Sequence, residues 1–236
     1  MIEFKNICKS FGTLKVLNSI NLKFSKGECI ALIGPNGCGK TTLIKSILGM
    51  VIPDKGTINF NNEAIKGSFL YRNQIGYMPQ IGRYPDNMTI GQIIEMIKNI
   101  RRPEGSVDEF LMDNFKLREM FSKRMSTLSG GTTQKVSATI AFLFNPNVLI
   151  LDEPTAGLDP LSSEILKEKI ISEKEKGKLI LITSHLLNEL DDLVSQIVYM
   201  QDGKIQLHKT IEELKQATGE QKISKAIAGL LKSGSL

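Results

Sequence analysis

The sequence lacks any apolar run approaching the roughly 18 consecutive residues that a membrane-crossing helix needs. Residues 1–11 also carry no hydrophobic stretch of the signal-peptide kind. Both absences point to a cytosolic chain with no direct lipid insertion. Cysteine is scarce: Cys8, Cys29 and Cys38 are odd in number and have no metal-ligand spacing. That disfavours a disulfide framework and a zinc site, and reduced thiols in a reducing compartment fit best. There is no internal repeat and no low-complexity segment. Basic residues do not cluster either. A formal charge of +5 admits nucleic acid or an anionic membrane surface, but Lys and Arg are spread along the whole chain, as on a solvated surface. No nucleic-acid partner is expected.

What is present is a chain of 236 residues, 41% hydrophobic and 23% charged, long enough to close a sizeable core as one domain. In residues 1–60 short apolar runs at 21–24, 29–33 and 57–60 are separated by Lys26-Gly27 and Lys55-Gly56. This predicts a small antiparallel sheet running into a buried strand. Between 89 and 144 the apolar positions recur at helical spacing, as in Ile90, Ile93, Ile94, Ile97 and again in Val136, Ile140, Leu143. That stretch reads as an inserted helical lobe. From residue 147 buried strands at 148–151, 179–183 and 197–200 alternate with helices near 161–176 and from His185, the pattern of an α/β parallel sheet. The tail, 211–236, sets Ile223, Ala226, Ile227, Leu230 and Leu231 on one helical face. Docking on its own domain is the plain expectation for that face, and a partner or membrane surface is the other.

The chemistry is concentrated in three places. Gly34-Pro35-Asn36-Gly37-Cys38-Gly39-Lys40-Thr41, followed by Thr42, fits the phosphate-loop pattern and lies between an apolar strand and a helix. Its glycines let backbone N–H groups turn toward a polyphosphate, Lys40 reaches the outer phosphates, and the Thr41 hydroxyl suits Mg²⁺. The implied ligand is a nucleoside triphosphate; a chance glycine-rich turn is the alternative. Cys38, beside Lys40 at a helix start, reads as a small buried residue in preference to a reactive thiol. Next, 148–151 is an apolar strand ending in Asp152 and Glu153. Neighbouring residues at a strand end point to opposite sides, so Asp152 can address metal while Glu153 addresses the attacking water. Last, the strand at 179–183 runs into Ser184-His185, which brings an imidazole to the same site if the two strands are neighbours. His208 has no such support.

Leu128-Ser129-Gly130-Gly131-Thr132-Thr133-Gln134 resembles the signature motif of the ATP-binding cassette (ABC) ATPases, and the resemblance covers nearly the whole chain. Around it Phe11 resembles the aromatic residue that stacks on adenine, Gln80 in Gly-Tyr-Met-Pro-Gln resembles the Q-loop, and Ala156-Gly157-Leu158-Asp159 resembles the D-loop. The resemblance implies a P-loop NTPase (RecA-like) core at 1–88 and 145–210 with an N-terminal antiparallel β-subdomain, and an α-helical subdomain at 89–144. It implies ATP and Mg²⁺ as cofactors: Phe11, Gly34 to Thr42 on the nucleotide, Thr41, Gln80 and Asp152 toward the metal, and Glu153, His185 and Gln80 in catalysis. It implies further a head-to-tail pair with a second copy, in which Ser129, Gly130, Gly131 and Asp159 complete the partner's ATP site. Thr132 departs from the glutamine most common there, while Gln134 matches the later glutamine of the motif.

The resemblance also implies a separate transmembrane permease, docked near Gln80 and Gly82-Arg83-Tyr84-Pro85, and a position on the cytoplasmic face of the inner or plasma membrane. A soluble cassette ATPase acting on DNA or ribosomes is the competing reading, but its usual second cassette or coiled-coil insertion does not occur. A non-catalytic module is opposed by the intact acids. Within transporters the chain resembles the exporter branch. More narrowly, 33–50, 78–89 and 128–135 are similar to the ATPase of the copper-processing system that helps mature nitrous oxide reductase.

Overall fold

The computed structural model describes residues 1–103 and 105–232, with side chains described through residue 230. Strands β1 (Ile2–Phe11), β2 (Leu14–Phe24), β4 (Lys55–Phe60) and β5 (Glu63–Ala64) form an antiparallel sheet in the order β2-β1-β4-β5. Its inner face is Ile2, Phe4, Ile7, Leu17, Ile20, Leu22 and Phe24, all buried. Strands β3 (Cys29–Ile33), β6 (Ile75–Met78), β7 (Val148–Asp152), β8 (Leu179–Thr183), β9 (Gln196–Gln201) and β10 (Lys204–Thr210) form a second sheet in the order β10-β9-β3-β8-β7-β6. Every pairing in it is parallel except that of β9 with β10.

β3, β7 and β8 are buried at every residue, which is why they read as apolar runs without alternation up to Asp152 and Thr183 at the ends of β7 and β8. The pleat divides them between two cores. Ile30, Leu32, Val148, Ile150, Leu179 and Leu181 face helix α1 (Lys40–Ile47) and the antiparallel sheet. Ala31, Ile33, Leu149, Leu151, Ile180 and Ile182 face the helices on the other side. Those helices are α2 (Ile90–Arg101), α3 (Phe110–Asn114), α4 (Gly130–Phe142) and α5 (Pro160–Glu175). Helix α2 starts at a reciprocal cap between Thr89 and Gln92 and buries Ile90, Ile93 and Ile94. Helix α4 lies so close to β6 that a Cβ on Gly76 would sit 2.0 Å from the Ala141 carbonyl oxygen.

The expected helix from His185 is not formed. A single 3-10 turn, Leu187–Glu189, stands there instead. Leu186 adopts φ −98, ψ 78, outside the helical region, and its N–H is taken by the Ser184 hydroxyl at 2.9 Å. Two helices close the chain, α6 (Ile211–Thr218) and α7 (Ile223–Lys232). Ile223, Ala226 and Ile227 are buried in the same core as α4 and α5, so α7 docks on its own domain. The Ile223 N–H donates to Asp191 at 2.9 Å. The side chain of Leu231, expected on that face, lies outside the described residues.

A buried ionic cluster joins α5 and the residues just after it to Asp108, between α2 and α3 of the helical lobe, and to Asn145 at the exit of that lobe. Lys169 donates to Asp108 and, at 2.8 Å, to Glu173; Lys178 donates to Glu173 and Asn145; Lys176 adds a third ammonium on Glu173 at 2.7 Å. Glu173 is 1% exposed. Burial alone raises its pKa, but hydrogen bonds from Lys169, Lys176 and Lys178 win and hold the carboxyl at about 2. A depressed folded-state pKa gives stability that is present above the unfolded value and lost as pH falls through the folded one. Glu173→Ala leaves the largely buried Lys178 ammonium without its carboxylate and Lys169 with Asp108 alone, and is expected to lower unfolding free energy by roughly 3–5 kcal/mol. Urea titrations at neutral pH measure that loss, and the gap between wild type and variant should narrow as pH falls from 4.5 toward about 2.

Candidate functional site

The parallel sheet levels three strand ends. Leu32 of β3 pairs with Thr183 of β8, and Thr183 pairs with Asp152 of β7. The segments that leave these strands therefore emerge at one edge: the loop 34–39 after β3, Ser184 and His185 after β8, and Glu153 after β7. The carboxyl ends of parallel strands are where such folds gather their ligand-binding residues.

The loop after β3 is shaped by close backbone approach. Gly34 has φ 149, and a Cβ there would lie 2.1 Å from the Met200 carbonyl oxygen of β9. Gly39, at φ 110, opens α1 without any side-chain cap, so the helix presents backbone N–H groups and its positive end toward the loop. The Lys40 ammonium is folded over the loop, donating to the carbonyls of Gly34 at 2.8 Å and Pro35 at 3.1 Å. Pro35, Asn36, Gly37 and Thr41 are exposed, and Thr42 is half-buried. Cys38 is buried with its Sγ 3.8 Å from Lys40 Nζ, in keeping with the small-buried-residue reading.

Asp152 and Glu153 are both buried and differently held. Thr183, the residue beside Asp152 in the sheet, donates its hydroxyl to the Asp152 carboxylate. Glu153 has φ 51, a left-handed conformation that costs a non-glycine residue roughly 1–3 kcal/mol and persists only where neighbours enforce it. Its N–H donates to the Thr183 carbonyl at 3.1 Å, and its carbonyl accepts from Ala156 N–H at 3.1 Å and Gln134 Nε2 at 3.2 Å. The carboxylate accepts the His185 N–H at 3.2 Å, with the imidazole Nε2 at 3.5 Å. Burial raises the Glu153 pKa; the His185 N–H and charge and Lys40 oppose that rise, and Asp152 adds to it.

The remaining predicted residues lie around this edge. Phe11 ends β1 and is 51% exposed, on a hairpin whose Val16 carbonyl abuts Gly39, and Lys9 lies 5.4 Å from its ring centre. Gln80 is exposed two residues past β6, with no hydrogen bond to another site residue among the described residues. Ser129 caps α4 by accepting from the Thr132 N–H, and its hydroxyl lies 2.9 Å from that of Thr132. Among the described residues no hydrogen bond joins residues 129–131 to the loop 34–41. Asp159 caps α5, and Lys135 and the Ser162 N–H lower its pKa. Sequence reasoning gave no part to Thr183 or Lys135. A threonine closing an otherwise apolar strand beside Asp152 was the available signal for the first; nothing local signals the second.

Fold and site together define a P-loop nucleotide-binding protein. The ABC transporter family profile matches residues 17–156. The Nod factor export ATP-binding protein I of Burkholderia lata is 32% identical over 208 residues, covering 86% of this chain and 68% of that protein. A solved ATP-binding subunit of an ABC transporter is 28% identical, with TM-score 0.89 over 98% of this chain and 99% of its own. A dimeric ATP-binding cassette in a post-hydrolysis state with ADP and Pi shares the fold at TM-score 0.78 and 23% identity, over 89% and 98%. The chain belongs to the ABC transporter family as an ATP-binding subunit, and it is an ATPase. Gly34→Ala should collapse the loop against Met200, with at least a tenfold loss of ATP affinity in a nucleotide titration.

Proposed function

We propose that this subunit binds ATP against the loop 34–42, pairs head to tail with a second copy of itself, and energises a separate permease that exports its cargo. The observation that carries the reading is the levelled edge of β3, β8 and β7, which gathers Lys40, Asp152, Glu153 and His185 at one place. Lys40 exchanges its bonds to the Gly34 and Pro35 carbonyls for phosphate oxygens, a stronger, charge-assisted pairing. The uncapped start of α1 receives the negative charge. Phe11 offers an exposed ring for adenine.

The donor set fits Mg²⁺. A carboxylate at Asp152 and a hydroxyl at Thr41 are hard oxygen ligands, with Gln80 able to add an amide oxygen. Among the described residues no cluster of three His, Cys, Asp or Glu side chains could hold a metal by itself, in keeping with an ion that shares its coordination with substrate phosphates. When bound, the ion neutralises charge on the phosphate oxygens. Glu153 orients the attacking water and takes its proton, and its raised pKa brings it nearer the working range of a general base. His185, tied to Glu153 through backbone and ring, stands on the γ-phosphate side. Ser129, Gly130, Gly131 and Asp159 serve the ATP of the other copy, where the start of α4 is a second anion-binding terminus.

Export is supported by the Nod factor exporter relative, and a head-to-tail pair by the cassette motifs. No helix among the described residues is long and apolar enough to cross a membrane, so the cargo path falls to the permease, and the chain sits at the cytoplasmic face through that partner. The narrower likeness to the copper-processing exporter of nitrous oxide reductase maturation gains nothing from these relatives.

Glu153→Gln is expected to lose roughly two to four decades of turnover while still binding ATP; near-normal turnover sinks the assignment. A tagged chain purified from gently solubilised membranes should carry a multi-span polypeptide in stoichiometric amount. Recovery with ribosomes or DNA instead overturns the transporter reading.

A further inference from the structure

Among the described residues, the carbonyl of Glu153 is where the signature helix α4 hydrogen-bonds the proposed base. Gln134, five residues beyond the Ser129 cap, is 4% exposed and donates its amide Nε2 to that carbonyl at 3.2 Å. An amide buried this deeply, on a helix that also buries Val136, Ala138, Ala141 and Phe142 beside Ser137 and Thr139, is costly unless its hydrogen bond is made. The peptide it meets is the left-handed one at φ 51, on which the direction of the Glu153 carboxylate depends. That backbone conformation needs its neighbours to enforce it, and the Glu153 N–H and carbonyl are both held by hydrogen bonds to such neighbours. Thr183 holds the N–H side, while Ala156 and Gln134 hold the carbonyl side. The first two come from the sheet and from the turn itself. Only Gln134 arrives from the helical lobe.

We infer that Gln134 is the positioning residue of Glu153, fixing the left-handed peptide so that the carboxylate stays on its water, and linking that peptide to the helix whose first residues serve the other copy's ATP. The link is short. From the Ser129 cap to Gln134 is little more than one helical turn, and the chain from Glu153 continues through the turn at Ala156 to Asp159. Lys135, the next residue on α4, bonds that Asp159 at 2.7 Å. Adjacent residues of α4 therefore grip the two ends of the segment 153–159. A shift of α4 when its N-terminus meets the other copy's nucleotide displaces the Glu153 carbonyl in its own site. Each ATP site thus gains a mechanical tie to the readiness of the other.

The inference rests on Glu153 being the base, and the test separates the two. Gln134→Met keeps the shape of the side chain and removes the donor; Gln134→Asn keeps an amide too short to reach, and serves if the first variant does not fold. Steady-state Mg-ATP hydrolysis by the full chain should show kcat lowered roughly 10- to 100-fold with KM for ATP within about twofold of wild type. Nucleotide binding and melting temperature report that the variant is folded. On the Glu153→Gln background, single-turnover measurements should find no further loss from Gln134→Met, because a residue acting through Glu153 has nothing left to position. An unchanged kcat in the single variants, or the same fractional loss on both backgrounds, overturns the role of Gln134. Near-normal turnover in Glu153→Gln alone overturns the assignment of the base instead.

Discussion

The site depends on Thr183. It closes a wholly buried strand that lies between the strand feeding the phosphate loop and the strand feeding the acids, and its backbone register brings the three ends level. Its side chain then does what the backbone cannot: the hydroxyl fixes the Asp152 carboxylate, and the same residue's carbonyl receives the Glu153 N–H. A strand slip of one residue would turn every side chain of β8 to the opposite core and remove both contacts together. Because the flanking cores are filled by large aliphatic side chains on both faces, such a slip is strongly disfavoured, and the geometry of the acids is inherited from packing.

Beyond that fixed edge the molecule reaches its own catalytic segment from the side. The helical lobe is not merely appended to the sheet. Through Gly76 it comes into backbone contact with β6, through Gln134 it touches Glu153, and through Lys135 it holds Asp159. A glycine at one contact and polar side chains at the others make this a close and directional seam, in contrast with the apolar seam between α1 and the antiparallel sheet.

The parts legible in the sequence are those encoded locally. The phosphate loop, the buried strands and the helical spacing of 89–144 each lie in a few consecutive residues, and the motif order carried the family as well. Other features depend on distant partners. The His185 segment has apolar residues enough for a helix, yet Ser184 diverts the Leu186 N–H and the helix does not start. Gln134 was readable as a motif position, but its bond to Glu153, nineteen residues away, belongs to the folded arrangement alone. Asp108 and Lys169 are 61 residues apart, and no local pattern announces them as a pair. The burial of Ile223, Ala226 and Ile227 followed from their spacing, whereas the surface they cover did not.

The ionic cluster at Glu173 gives the joint between α5 and the lobe a different mechanical character from the rest of the core. Apolar side chains lose little when they slide past one another by an ångström, since dispersion and area burial have no preferred direction. A buried carboxylate shared by three ammonium groups, two of them largely buried, has a narrow range of acceptable distances. Translation of the lobe along α5 would pull Asp108 from Lys169 and expose unmatched charge to a dry interior. The joint therefore behaves as a keyed coupling: it transmits a push along the helix axis and resists slippage.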